Sequence, residues 1–496
     1  MSQSPSQSRL EPHEQAGGIG GALSILHVVA CIAAAAWLMT RVAPAGESLI
    51  QSVRLAMGWY VFWCAAFAAI AFGVRQPLIA LLAFVALSEG TPRYFSSYQV
   101  MMKIGLLNWA AALTFTAWVC HLFRSRRRPE SISPLAWVMF ILIGWLIICI
   151  FVMRLRGFAW LPHPNHHPER FGHALVVFIL ASQLLRSETG AWWFSLVLCV
   201  TLCVRWAVTG NVGPTATYGG GDGDISALAV LAMPFALLGA QLTRPFAGKL
   251  AFIAFLVALI VLLGITRNRN GAVAFVILLP AMWIVARHKL RTLLVAAPVL
   301  AVIFVIFFNS PYWSRFTGLF AGSSDANSAN QRLLIWQSGL RMTMANPLFG
   351  VGTGNFHNVV AKYTPRQDEL HQIGPRRMVA SLDDDGYAAH NSVIHMAGDA
   401  GFPGALLYIV LFVGATILAG VIVHQHGRHW PAPAARAAFA GLCVYMAIGI
   451  FISRHDMAMG YLLAGWVIGL ARKRKPAIAD TPLVDSPSAR HNRNGV

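Results

Sequence analysis

A histidine and an asparagine, His390-Asn391, stand where a long polar stretch gives way to the apolar pair Val393-Ile394. A neutral imidazole at such a boundary can take a proton from a sugar or protein hydroxyl near neutral pH. The competing reading is a histidine satisfied structurally at a helix start. Arg267 and Arg269, in Thr266-Arg267-Asn268-Arg269-Asn270-Gly271, sit between two apolar runs. Guanidinium groups chelate phosphoryl oxygens bidentately and stay charged at any pH, so such a pair suits a pyrophosphate. Paired arginines at the end of a span also serve simply as headgroup anchors. A third candidate, Arg332, lies in QRLLIWQSGLRMTMANPLFGVGTGNF, residues Gln331–Phe356. There Leu333, Trp336, Leu340 and Met344 recur at helical spacing, which predicts a helix packed on that stripe with Arg332 on its polar side, pointing away from the packing. Asn346-Pro347 ends the helix.

Three other groups have residue types that could do chemistry. Gly350-Val351-Gly352-Thr353-Gly354 could present backbone N–H groups to a phosphate. It follows a helix instead of opening one and lacks the Lys-Ser/Thr of a P-loop, so a tight turn is expected and nucleotide binding is disfavoured. His163, His166 and His167, with His173 nearby, and the triplet Asp383-Asp384-Asp385 could ligate a cation. The histidines show no full tetrahedral spacing, and Pro162, Pro164 and Pro168 suit an extended loop. The acidic triplet reads as a solvated loop face. No metal or other cofactor is therefore expected.

The elements that must carry these residues are membrane spans. Hydrophobic residues make up 57% of the chain and charged residues 11%, with a mean hydropathy of +0.60; a soluble globular chain is typically about 25% charged. An all-α polytopic bundle of about 12–14 spans is expected, several of them shorter than the ~20 residues of a perpendicular crossing. The divisions are a disordered N-terminus at 1–21, a transmembrane region at 22–308, a long loop containing helices at 309–391, C-terminal spans at 392–471 and a basic tail at 472–496. All seven cysteines lie in apolar stretches, which argues against a disulfide framework.

Basic clusters at Arg124–Arg128, Arg287–Arg291 and Arg472–Lys475 orient the bundle with both termini cytoplasmic and the long loop outside. That orientation accounts for part of the net charge of +19 and makes nucleic acid an unneeded partner. It also leaves Arg154, Arg156, Arg170, Arg205, Arg267, Arg269, Arg315, Arg332 and Arg341 on the outer face, against the positive-inside bias. A site for an anionic substrate would explain the surplus; an arginine-rich composition scattered over every loop is the alternative.

Arg332, Trp336, the run Asn346–Phe356, and then His390-Asn391-Ser392-Val393-Ile394 with Ala400-Gly401-Phe402-Pro403-Gly404 together resemble the core signature of the O-antigen ligase and polysaccharide polymerase superfamily of bacterial inner-membrane glycosyltransferases. The superfamily's T-x-S-R pattern aligns with Thr266–Arg269, with Asn268 in place of Ser, which implies Arg269 as the matching arginine and Arg267 as an additional one. The resemblance implies a metal-independent, inverting transfer of a glycan from undecaprenyl pyrophosphate to an acceptor hydroxyl, the lipid A-core sugar, at the periplasmic face of the inner membrane. In that reading His390 is the base, Arg269 and Arg332 stabilise the leaving pyrophosphate, and Arg267, Arg205 and Asn391 bind substrate. A growing polymer or a protein hydroxyl is the acceptor in other branches of the superfamily. From a different class, a lipid-linked glycan flippase would share the span count, but would place ionisable residues near the midplane of several spans.

Overall fold

The computed structural model describes residues 63–90, 106–126, 133–157, 169–209, 222–266, 269–286, 288–290, 294, 324–363, 388–451, 453, 455 and 457–472. They form helices joined by turns, with no strand among them. In chain order these are α1 (Trp63–Phe72), α2 (Pro77–Gly90), α3 (Leu106–Ser125), α4 (Pro134–Leu155), α5 (Glu169–Leu184), α6 (Glu188–Thr209), α7 (Asp222–Leu242), α8 (Phe246–Thr266) and α9 (Arg269–Ile284). After the long loop begins come α10 (Ser324–Ala345), the single turn α11 (Phe356–Val359), α12 (Ser392–His426), α13 (Ala432–Phe451) and α14 (Ala458–Leu470).

Seven of these helices are long and apolar enough to cross a membrane, namely α3, α4, α6, α7, α8, α12 and α13, and shorter apolar helices such as α2, α9 and α14 accompany them. The protein is a multi-pass, all-α membrane bundle. Of the expected transmembrane region at 22–308, residues 22–62 and, apart from Leu294, 291–308 are among those that lie outside the described residues. Many large apolar side chains of α4, α8 and α12 are exposed, among them Phe151, Val257 and Leu406. Such an outward apolar surface is what a bilayer solvates.

The centre of the bundle is α14, short as it is. Every residue from Met459 to Leu470 is buried, between α5, α12 and α13. Gly465 and Gly469, one turn apart, make this possible: a Cβ on either would fall 2.2 or 2.5 Å from the carbonyl oxygen of Phe178 or Ser182 on α5. Without a hydrophobic driving force in lipid, helices associate through such close backbone contact at small residues. Trp466 fills the space beside them, stacked on Phe235 of α7 and edge-on to Phe194 of α6.

The break in α12 shapes the site. Gly401 has φ 72° and ψ −177°, a conformation close to glycine-only, and Pro403 follows. A nine-residue segment, 392–400, is thereby set off from the longer helix below it. Breaking the ladder deprives the carbonyls of Gly398, Asp399 and Ala400 of their usual partners four residues on, and in an apolar setting each must find another. The Gly398 carbonyl accepts from the Val351 N–H at 2.9 Å, and that of Asp399 from the Gly352 N–H at 3.0 Å. The Ala400 carbonyl takes the indole N–H of Trp145 on α4 at 2.8 Å. The Phe402 N–H, left over on the other side of the break, donates to the Pro347 carbonyl at 2.8 Å.

Candidate functional site

These bonds join the two polar stretches of the sequence into one unit. The glycine run is a turn, with Gly350, Gly352 and Gly354 all at positive φ, and it latches onto the kink of α12. It is held from three directions. Trp145 stacks on Phe349 at 5.2 Å, Thr353 donates to the Leu146 carbonyl at 3.3 Å, and the carboxylate of Asp399 accepts the Gly354 and Phe356 N–H groups at 2.8 and 2.9 Å. A buried carboxylate receiving two N–H groups makes charge-assisted bonds, worth about 1.5–3 kcal/mol each. Asp399 is thus the central fastener of the unit. Nothing in the spacing of the sequence singled it out, because its partners are backbone groups some forty-five residues away.

His390 sits at the head of this unit. It is half-buried and adopts φ 49°, one of only two non-glycine residues with positive φ among those described; histidine tolerates this region better than most residues. Asn391 then caps α12, its Oδ1 accepting from the Val393 and Ile394 N–H groups, both at 3.0 Å. Asn391 therefore has a structural task, satisfying two N–H groups of the first turn, which the sequence reading had not assigned to it. The left-handed turn at His390 and the cap at Asn391 together turn the imidazole-bearing residue out of the helix at its N-terminal end.

Arg332 lies on α10, which does not pack on the face that the apolar stripe suggested. On α10, Leu333, Leu340 and Met344 are exposed, while Leu334, Ile335, Ser338, Met342 and Thr343 are buried. The helix packs on its other face, because Gly339 lets Ile394 and Phe356 approach closely and Gly398 of α12 receives the Met342 side chain. The apolar stripe therefore does not identify the packed face here. Arg332, one turn before Ile335 and Trp336, falls at the edge of the packed face and is half-buried. The Trp336 indole donates to the carbonyl of Ala389 at 2.7 Å. Arg332 is thus one helical turn from the residue that grips the backbone directly before His390.

The remaining candidates divide. Arg269 is the first residue of α9, whose start is seated closely against α7 and α8 by Gly271, where a Cβ would meet Ser226 and Leu263 at 2.7 Å. Arg205 is buried in α6 and its Nη1 donates to the Glu89 carbonyl at the end of α2, at 2.8 Å. That donor holds two helices together. Arg156 lies over the Phe349 ring at 5.8 Å, which places it beside the latched turn. Arg154 and Arg341 are exposed, whereas Arg170 is buried in the first turn of α5. Arg267, Arg315, His163, His166, His167 and Asp383–Asp385 lie outside the described residues. His173 is buried in α5 and hydrogen-bonded to Asn108 of α3, a placement that suits helix packing.

A second cluster was not anticipated at all. His395, Asp399 and His455 converge within the bundle directly beneath the turn, and His357 of α11 lies against His395. The signal was partly visible, since His395 and Asp399 are spaced i, i+4 and so share a helix face. His455, sixty residues later, could be joined to them only by the packing of α14 on α12.

No curated protein matches the chain. Residues 252–409 match the family model described as O-antigen ligase, a stretch that starts in α8, takes in Arg269, Arg332, the glycine turn and His390, and ends just past the kink of α12. The region that builds the His390 site is thus similar to the O-antigen ligase family, which supports the O-antigen ligase superfamily for this chain.

Proposed function

We propose that the protein transfers a glycan from undecaprenyl pyrophosphate to an acceptor hydroxyl, the core sugar of lipid A, at the periplasmic face of the bacterial inner membrane. The observation that carries this reading is the coupling of His390 to α10. An imidazole turned out of the helix N-terminus stands next to a backbone carbonyl gripped by Trp336, and Arg332 is one turn away on the same helix.

In this reading the neutral His390 imidazole removes the proton of the acceptor hydroxyl as its oxygen attacks the anomeric carbon from the face opposite the leaving group. The bond from the anomeric carbon to the phosphate oxygen breaks, its electron pair stays on undecaprenyl pyrophosphate, and the configuration inverts. Arg269 and Arg332, with Arg267 beside them, stabilise the growing charge on that pyrophosphate, the task that electrostatic preorganisation performs in group transfer generally. Guanidinium groups supply positive charge here, so the transfer step needs no divalent ion. Asn391 shapes the helix end that presents His390, and Arg205 contributes to the cationic field of the same face. A growing polymer or a protein hydroxyl as acceptor keeps every one of these roles and changes only the acceptor.

The test is transfer by purified protein with defined donor and acceptor. His390→Ala should leave insertion and donor binding intact while transfer falls by roughly 10²–10⁴-fold, the usual contribution of a positioned base. The wild-type rate should rise with pH through the imidazole range, near about 6.5 when unperturbed, because only the neutral ring accepts a proton. An Ala variant that keeps more than about a tenth of wild-type transfer removes His390 from this role.

A further inference from the structure

We propose that His395, Asp399 and His455, closed by His357, bind a divalent transition metal of the zinc class as a structural clamp beneath the glycine turn. The side-chain atoms of the first three that can ligate a metal all lie within 4.8 Å of one another. The Nε2 atoms of His395 and His455 stand 3.7 and 4.0 Å from the same oxygen, Oδ2 of Asp399. That is too long for direct hydrogen bonds, which fall at about 2.7–3.2 Å. It approaches the edge of a tetrahedron around zinc, about 3.4 Å when each ligand is about 2.1 Å from the ion. Two imidazoles and one carboxylate are borderline ligands, which suit zinc and its neighbours better than calcium or magnesium.

His357, whose ring lies against His395, is the residue placed to complete the shell. Its ring centroid is 5.1 Å from that of His395, with the planes at 67°; two imidazoles on one tetrahedral ion stand about 5 Å apart. The rings of His395 and His455 are closer, at 4.2 Å, and would part by roughly an ångström as the ion enters. The outer support is built as well. Both oxygens of Asp399 are oriented by backbone N–H groups, and the Tyr461 hydroxyl donates to the His455 carbonyl at 2.6 Å. Groups that orient metal ligands in this way are a usual companion of such sites. His395, Asp399 and His455 are at most 1% exposed and His357 is 5% exposed, so the cluster is closed to solvent, as structural sites are. The ion would join α11, the segment 392–400 and the segment before α14. It stands apart from the transfer step, so the proposal does not depend on the acceptor, the donor or the role of His390.

The experiment is elemental analysis of the full-length protein purified in detergent, followed by chelation and reconstitution with Co²⁺. About one zinc per chain is expected, along with the visible bands of tetrahedral Co²⁺ after exchange and a lower unfolding temperature after prolonged chelation. His455→Cys should retain the ion and add a thiolate-to-cobalt charge-transfer band, while the surface variant His429→Gln leaves the spectrum unchanged. Wild-type protein that takes up neither zinc nor Co²⁺ overturns the proposal. So does a His455→Cys protein whose Co²⁺ spectrum is identical to wild type, because the ion would then be bound elsewhere. The wild-type reconstitution decides the matter even if a variant fails to fold.

Discussion

Replacing Gly401 by alanine should unlatch the glycine turn without dissolving the bundle. At φ 72° and ψ −177° a residue with a Cβ is strained, and here the Cβ would sit 2.2 Å from the Leu348 carbonyl oxygen and 2.6 Å from that of Pro347. Both obstacles are backbone, so no side-chain rotation relieves them, and the turn must retreat by about an ångström to reach van der Waals distance. That retreat breaks the bonds from Phe402 to Pro347, from Val351 to Gly398 and from Gly352 to Asp399. With about 1–3 kcal/mol of strain and about 1 kcal/mol for each bond lost, the latched form is destabilised by about 4–6 kcal/mol, a factor of about 10³ or more in the latch equilibrium. The assay pairs hydrogen exchange of the peptide covering 346–356 with glycan transfer. Exchange should rise sharply and transfer should fall at least about tenfold, with helical content by circular dichroism preserved, because α5, α13 and α14 are packed independently of the turn. Gly427→Ala is the control: it also has positive φ, at 57°, but open space where its Cβ would stand. It should carry strain alone and retain transfer. If Gly401→Ala exchanged and transferred like Gly427→Ala, the claim that the kink and the turn form one unit would be refuted.

Trp336→Phe keeps most of the packing of α10 but loses the indole bond to Ala389; stability should change by about 1 kcal/mol while transfer drops several-fold, and unchanged transfer would separate α10 from the placement of His390. Arg332→Lys and Arg269→Lys retain charge but not the bidentate fork, so each should lower transfer substantially with insertion normal, and wild-type turnover in both would reduce these arginines to anchors. Impermeant thiol reagents applied from outside should label a cysteine placed at Ser323 or Asp384 and miss one at Ser125; labelling at Ser125 would invert the orientation, and with it the face on which transfer is proposed.

Composition and periodicity determined the class: a chain with 57% hydrophobic and 11% charged residues has to satisfy its backbone inside lipid, and helices do so span by span. Two stretches, Gln331–Phe356 and His390–Gly404, stood out in the sequence as the candidate site because polar, glycine-rich and histidine-bearing segments are rare in such a chain. That they are one object was decided by the tertiary structure, since the bonds joining them, those of Asp399 and Trp336 included, end on distant backbone groups that leave no signature in the sequence. The face of α10 was misjudged for a related reason. Leu333, Leu340 and Met344 look like a core stripe but are exposed, and Gly339 decides the packing by letting α12 come close. The pairing of His395 with Asp399 could be read from their spacing, whereas His455 and His357 could not be assigned to them. Their convergence depends on the glycine-lined approach of α14 to α5 and on the break at Gly401, and contacts so distant along the chain exist only once the helices have packed.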